Sequence, residues 1–179
     1  TVFVRRLQDG DPGGHMRRAM AHFPIPEVAE NALKQFFRPE GRPPGTPYKQ
    51  LPMYQHIVDR GREQLAILAA FVEVHLAKEG HDGPVGVNLL TKVQLPNLAL
   101  LYGAMLAGVD FVLMGAGIPR EIPKVLDAFA EQRMVAIRLE VEDRQADTPE
   151  YFSLDPRVHW QGEPPPLKRP RFLPIISSH

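Results

Sequence analysis

The chain has 179 residues, 44% of them hydrophobic, with 21 basic and 21 acidic side chains in balance and no cysteine. That length is enough for a sizeable core and normally for one domain. The composition excludes disulfides, thiolate catalysis and cysteine-based metal sites, and the neutral balance lacks the electrostatic footprint of a dedicated nucleic-acid binder.

No apolar run reaches membrane-spanning length, because Arg, Lys, Asp or Pro interrupts each one. The opening TVFVRRLQDGD is not a signal peptide. These readings predict a cytoplasmic protein without membrane or nucleic-acid partners. The sequence starts on Thr1 rather than Met, so the expectation is that something precedes it.

Residues 1–7 read as a helix end or a short strand. GDPGG at 10–14 is a turn by composition. A short basic helix is predicted from His15 to His22, stopped by Phe23-Pro24. PEVAENALKQFF at 26–37 places Val28, Ala29, Ala32, Leu33, Phe36 and Phe37 on one helical face, with Pro26 suited to the first turn. The proline-rich 38–52 is a loop or packed arm, since proline removes donors and fixes backbone angles. Residues 61–79 form the clearest helix, with Leu65, Leu68, Ala69, Val72 and Leu76 at helical spacing and Gly80 as the stop. His75 lies beside that apolar face.

The rhythm then changes. Strands are predicted at 84–91, 109–114 and 135–141, with a helix at 97–107 and another carrying Ile122, Val125, Leu126 and Phe129. The strands are nearly continuous apolar runs, as in a parallel sheet with covered faces. Strand and helix alternate at βαβ spacing, which implies a right-handed parallel arrangement. Residues 143–170 are polar, aromatic and proline-rich, and too long for an ordinary connection. Tyr151, Phe152, Arg157, His159 and Trp160 there suit an interface or a ligand equally. FLPIISS at 172–178 reads as a fourth parallel strand.

The predicted fold class is α/β, a (β/α)8 TIM barrel of which this chain supplies roughly the first half. Its parts are an N-terminal helical region (1–82), a βαβαβ core (83–142), a proline-rich excursion or lid (143–170) and a last barrel strand (171–179). Such barrels typically need about 250 residues. Half a barrel exposes two sheet edges. Remaining barrel segments or a second chain are therefore expected to close it, with a homo-oligomer as one form. A four-stranded open α/β sheet is the structural alternative.

Barrel ligands sit at the C-terminal ends of the strands. Those ends are 88–92, 115–117, 138–142 and 177–179. Asn88 carries a donor and an acceptor on one planar group, which suits the rim of a flat heterocycle or a bond to nearby backbone. Lys92 suits an anion or a plain helix-entry position. Gly115, Ala116 and Gly117 allow close backbone approach to a ligand, or simply make the turn. They are not a dinucleotide fingerprint, which needs further glycines opening directly into a helix. His179 stands at a predicted strand terminus and is the candidate catalytic proton acceptor. His22, His56 and His81 lack ligand spacing, so no metal site is predicted. Asp110 is assigned to the bottom of its strand.

The stretches RRLQDGDPGGHMRRAMAHFP (5–24), GVNLL (86–90) and AGVDFVLMGAGIPREIPKVLDAF (107–129) together resemble the nitronate monooxygenase family, once called 2-nitropropane dioxygenases. They resemble especially the branch that includes enoyl reductases of polyketide and polyunsaturated fatty-acid synthases. The likeness covers most of residues 1–142, and FLPIISSH fits a later strand. It implies a TIM barrel with an inserted helical portion that binds FMN without a metal. It implies that Asn88 contacts the flavin ring and that Gly115 to Gly117 line the pocket, with Lys92 tuning the flavin. The implied reaction is FMN-dependent oxidation of a nitronate or similar carbanion, with reduced flavin meeting oxygen. The alternative is an enoyl reductase taking hydride from NADPH. The family's catalytic histidine lies in a Gly-Gly-His motif on a later strand. Neither Gly13-Gly14-His15 nor His179 matches it. Apart from the resemblance, a non-redox phosphate-ligand barrel and a non-catalytic structural half-barrel stay open.

Overall fold

The computed structural model describes residues 2–55, 57–140 and 149–176. Three short helices lead: α1 (Val2–Gln8), α2 (His15–Met20) and α3 (Pro26–Phe36), with a 3-10 turn at Pro12–Gly14. The start of the chain is therefore helical, and Phe3, Val4 and Leu7 are buried. Buried Asp11 receives the backbone N–H groups of Met16 at 2.9 Å and Arg17 at 3.0 Å, placing a negative charge at the start of α2. Val28, Ala29, Ala32 and Phe36 form the inward stripe of α3 that its periodicity predicts.

The long α4 (Arg60–Ala77) starts on Asp59, whose carboxylate accepts from the Arg62 N–H at 3.1 Å. It is buried well beyond one stripe, because α2 and α3 pack on it from one side and α5 (Asn97–Leu106) from another. Helix α5 is itself buried nearly all round, including Leu98, Leu101, Tyr102 and Met105. At Gly103 the two helices α4 and α5 approach closely. A Cβ there would lie 2.1 Å from the Ile67 carbonyl oxygen.

Three strands make a parallel sheet. β1 (Gly86–Leu90) pairs with β2 (Phe111–Gly115), and β2 pairs on its other side with the last strand, Arg171–Pro174. Burial alternates across it. Val112 and Met114 of β2 are fully buried, as period-two geometry requires of one covered face. On the opposite face Gly86, Asn88 and Leu90 of β1 are exposed, and so are Arg171 and Leu173. The helical layer covers one side only. At the foot of β2, Asp110 bonds Lys78 Nζ at 2.7 Å and the Val85 N–H at 2.9 Å. These contacts, the lysine first, hold its carboxyl below the usual carboxylate range.

The third predicted strand behaves differently from its sequence reading. β3 (Val135–Arg138) does not join the parallel sheet. It pairs antiparallel with β4 (Tyr151–Leu154), a strand inside the excursion, with Val135 opposite Leu154 and Arg138 opposite Tyr151. The sheet position next to β2 is occupied by the final strand, here called β5. An alternating apolar run specifies which face is buried but not which neighbour supplies the hydrogen bonds.

The excursion packs internally. Trp160 Nε1 donates to the Tyr102 hydroxyl at 2.8 Å, which in turn bonds Gln132 Oε1 at 2.9 Å. The Gln132 amide then donates to the Pro165 carbonyl at 2.6 Å. Burial pushes the Tyr102 phenol up to about 12, with the Trp160 and Gln132 bonds opposing the rise. His159 is enclosed beside Glu63, 3.1 Å from Nε2 to Oε1 but outside hydrogen-bonding geometry. Arg60 also donates to the Val158 carbonyl. Phe152, His159 and Trp160, read from sequence as interface or ligand groups, thus tie residues 151–165 to α4, α5 and the end of α6 (Ile122–Ala130).

Candidate functional site

The parallel register brings the sequence-predicted positions to one end of the sheet. Asn88 lies opposite Leu113, and Leu90 lies opposite Gly115. The next residue, Thr91, donates its N–H to the Gly115 carbonyl at 2.8 Å. β2 therefore leads straight into the turn at 115–117, and the end of β1 is bonded to the start of that turn. Asn88 and that turn share the C-terminal end of adjacent strands, the end where open α/β sheets and barrels hold ligands.

Local chemistry shapes this end. Ala116 has φ of 57° and Gly117 has φ of 146°. Glycine tolerates such a backbone, whereas the alanine is strained in it. Gly117 is required for space as well, since a Cβ there would meet Thr91 Cβ and Cγ2 at 3.1 Å. Gly115 packs beneath Ile175, whose Cβ would stand 3.1 Å from an added Cβ. The turn after β1 is held by Asn97, which donates to the Leu90 carbonyl at 3.0 Å. Gln94 closes a two-way amide pair with the backbone of Glu140, at 2.7 and 2.8 Å.

The Asn88 amide is on the open face of the sheet and exposed, so it is not a buried core amide. Leu113 and Leu173 continue its row across the sheet. Leu90, Gly115 and Ile175 make the next row toward the strand ends. Leu90, Leu173 and Ile175 are 51%, 45% and 47% exposed. The result is an apolar floor with one carboxamide on its edge strand and a glycine turn at its rim. A parallel sheet ordinarily has both faces covered, so this face is built to receive further apolar matter.

Lys92 is exposed in the turn after β1 and enters no ion pair among the described residues. His179, together with Ser177 and Ser178 of the last predicted strand end, lies outside the described residues. So does most of the end predicted for the third strand beyond Glu140. The described part of that strand belongs to the β3–β4 pair, so three strand ends converge where four were expected. Gly13-Gly14-His15 lies at α2, where His15 Nδ1 faces Arg18 Nη2 at 3.1 Å.

Sequence reading missed Thr91. Its hydroxyl oxygen is enclosed and has no hydrogen-bond partner among the described residues. No local pattern distinguishes it from any threonine after a strand. The open-face row was more accessible, because period two in GVNLL places residues 86, 88 and 90 together. A separate cavity of about 410 Å³ lies between α3, residues 49–55 and 57–59, and the start of α4, lined by Phe36, Leu51 and Leu65. It takes no part in the convergence at the strand ends.

Among the described residues no group of three or more His, Cys, Asp or Glu is placed to hold a metal ion. Nor is any helix among them long and apolar enough to cross a membrane. No known protein family, curated protein or solved structure matches this chain.

Proposed function

We propose that this chain forms the flavin-facing half of an FMN-dependent oxidoreductase of the nitronate monooxygenase kind. The observation that carries the reading is the convergence of Asn88 and the 115–117 turn at one end of adjacent parallel strands, on a sheet face left open. The residues present fit a flat heterocycle. An exposed carboxamide offers a donor and an acceptor together, and the neighbouring turn presents backbone without side-chain bulk. Leu90, Leu113 and Leu173 supply the apolar surface that a ring needs beside its polar rim.

In this reading Asn88 orients the ring edge, and the exposed Ala116 and Gly117 let it approach the backbone just beyond Gly115, which Ile175 covers. Lys92 adds positive charge near the strand end, favouring an anionic ring or substrate. FMN, when bound, supplies the electron-accepting chemistry. A nitronate arrives already deprotonated, so its oxidation does not demand a base among the described residues. The open apolar face is covered by remaining barrel segments or a second chain, which would exclude water from the ring.

The test is an absorption spectrum of the purified full-length protein, followed by addition of a nitronate or of NADPH. Oxidised-flavin absorbance that bleaches with a nitronate supports the proposal. Bleaching by NADPH alone moves the assignment to an enoyl reductase. A colourless protein that takes up no added FMN refutes flavin chemistry and favours a non-redox barrel. Asn88→Ala is expected to weaken flavin retention by about tenfold, the loss of one or two hydrogen bonds, while leaving the fold intact.

A further inference from the structure

We infer that Thr91 is a ligand-binding residue of the same site, its hydroxyl donating to a ring carbonyl when the 116–118 turn lifts. The inference rests on the flavin reading above and adds to it a residue and a movement.

The first observation is the orphaned hydroxyl. Thr91 Oγ1 is enclosed, yet no donor or acceptor among the described residues meets it. Leaving a buried hydroxyl unpaired costs free energy, and valine would fill the same space without that cost. Neighbouring polar groups at this strand end are satisfied: the Thr91 N–H by Gly115, and the Leu90 carbonyl by Asn97. Packing alone therefore does not account for an oxygen at this position.

The second observation is what lies against Thr91. A Cβ on Gly117 would stand 3.1 Å from Thr91 Cβ and Cγ2 and 3.8 Å from the hydroxyl oxygen, so the glycine backbone packs closely on this side chain. Ala116 beside it holds a left-handed φ of 57°, a conformation that costs an alanine energy. Ala116 and Gly117 are exposed, and Ile118 is 67% exposed, so few contacts hold the turn down. A strained, lightly packed turn over an unpaired donor is the arrangement expected of a small cover that a ligand displaces.

The third is position. Thr91 is the first residue beyond β1, at the strand end that Asn88 approaches, and it sits against the 115–117 turn. On the flavin reading the class of ligand is a planar heteroaromatic with carbonyl acceptors at its rim. A phosphate is an acceptor that FMN carries and riboflavin lacks, so riboflavin separates it from the ring.

The experiment compares wild type, Thr91→Val and Thr91→Ser in the full-length protein. FMN and riboflavin are titrated by fluorescence quenching, and urea unfolding is followed without ligand. Thr91→Val should unfold at an equal or higher urea concentration than wild type. It should bind FMN and riboflavin about tenfold more weakly, roughly one hydrogen bond at 1.4 kcal/mol per decade. It should also shift the bound-flavin absorption maximum. Thr91→Ser should bind within about twofold of wild type.

Unchanged FMN affinity in Thr91→Val, with wild type binding normally, overturns this inference alone. A lower urea midpoint for Thr91→Val also overturns it, since the hydroxyl would then be structural. Weakened FMN with unchanged riboflavin overturns the ring-carbonyl assignment. A wild type that binds neither flavin refutes the proposed function and this inference together.

Discussion

Gly103→Ala sets a small change against a rigid contact. The added methyl would sit 2.1 Å from the Ile67 carbonyl oxygen, 2.8 Å from its carbon and 3.0 Å from Ala70 Cβ. Ordinary contact needs about 3.5 Å, so α5 would have to retreat from α4 by over an ångström. The two nearest atoms are backbone and the third is an alanine Cβ, none of which has an alternative rotamer. Retreat would loosen the buried Leu98, Leu101, Tyr102 and Met105 on α5 and Leu68 and Phe71 on α4. Overpacking of this kind costs about 3 kcal/mol at the upper end of its usual range. Alanine's better helix propensity returns about 1 kcal/mol. The net expectation is a loss of about 2 kcal/mol. Urea unfolding, with a slope of about 2 kcal/mol per molar, would show a midpoint lower by about 1 M. An unchanged or higher midpoint would mean that propensity dominates, and that α4 and α5 do not cross as closely as this.

Three further outcomes follow from particular residues. His75 stacks on His22 at 4.7 Å and on Phe71 at 5.5 Å, and burial, then His22 and Arg18, hold its pKa below the ordinary value while Glu79 opposes them. A depressed histidine contributes stability above about pH 6.5 that is lost as pH falls; His75→Phe should flatten the change in thermal midpoint between about pH 7 and 5. Asp110 has the same sign of shift for a carboxylate, so its stabilisation is present above the ordinary aspartate value and lost as pH falls through its lowered one. Asp110→Asn should unfold earlier than wild type in neutral urea, with the gap closing toward pH 2. Ala116→Gly should raise the urea midpoint slightly, by about 1 kcal/mol in stability, because glycine accepts the left-handed φ; a lower midpoint would argue against strain at the turn.

Much of the local structure was legible in the amino-acid order. The stripe at Val28, Ala29, Ala32 and Phe36 and the repeat through Leu65, Leu68 and Val72 specify helices, because a 3.6-residue period leaves them little choice. The runs at 86–90 and 111–115, separated by a helical stretch, specify parallel neighbours, since the crossover between them has one favoured hand. Those same rules put Asn88 and the 115–117 turn at one end. They did not reach the partner of β3, because its four residues carry no record of which edge they join; the final strand took the place beside β2, and Trp160, Tyr102 and Gln132 anchor the segment beyond β4 elsewhere.

Sequence by itself thus determined the helices, the two leading strands and their common direction, all short-range or periodic properties of the chain. Only the tertiary structure decided which strand completes the sheet, that Gly103 is a contact point between helices, and that the Thr91 oxygen has no partner among the described residues. Each of these depends on what residues distant along the chain bring to one place. Hydrogen-bond satisfaction and close packing are sums over spatial neighbours, and the pattern within any one segment does not contain them.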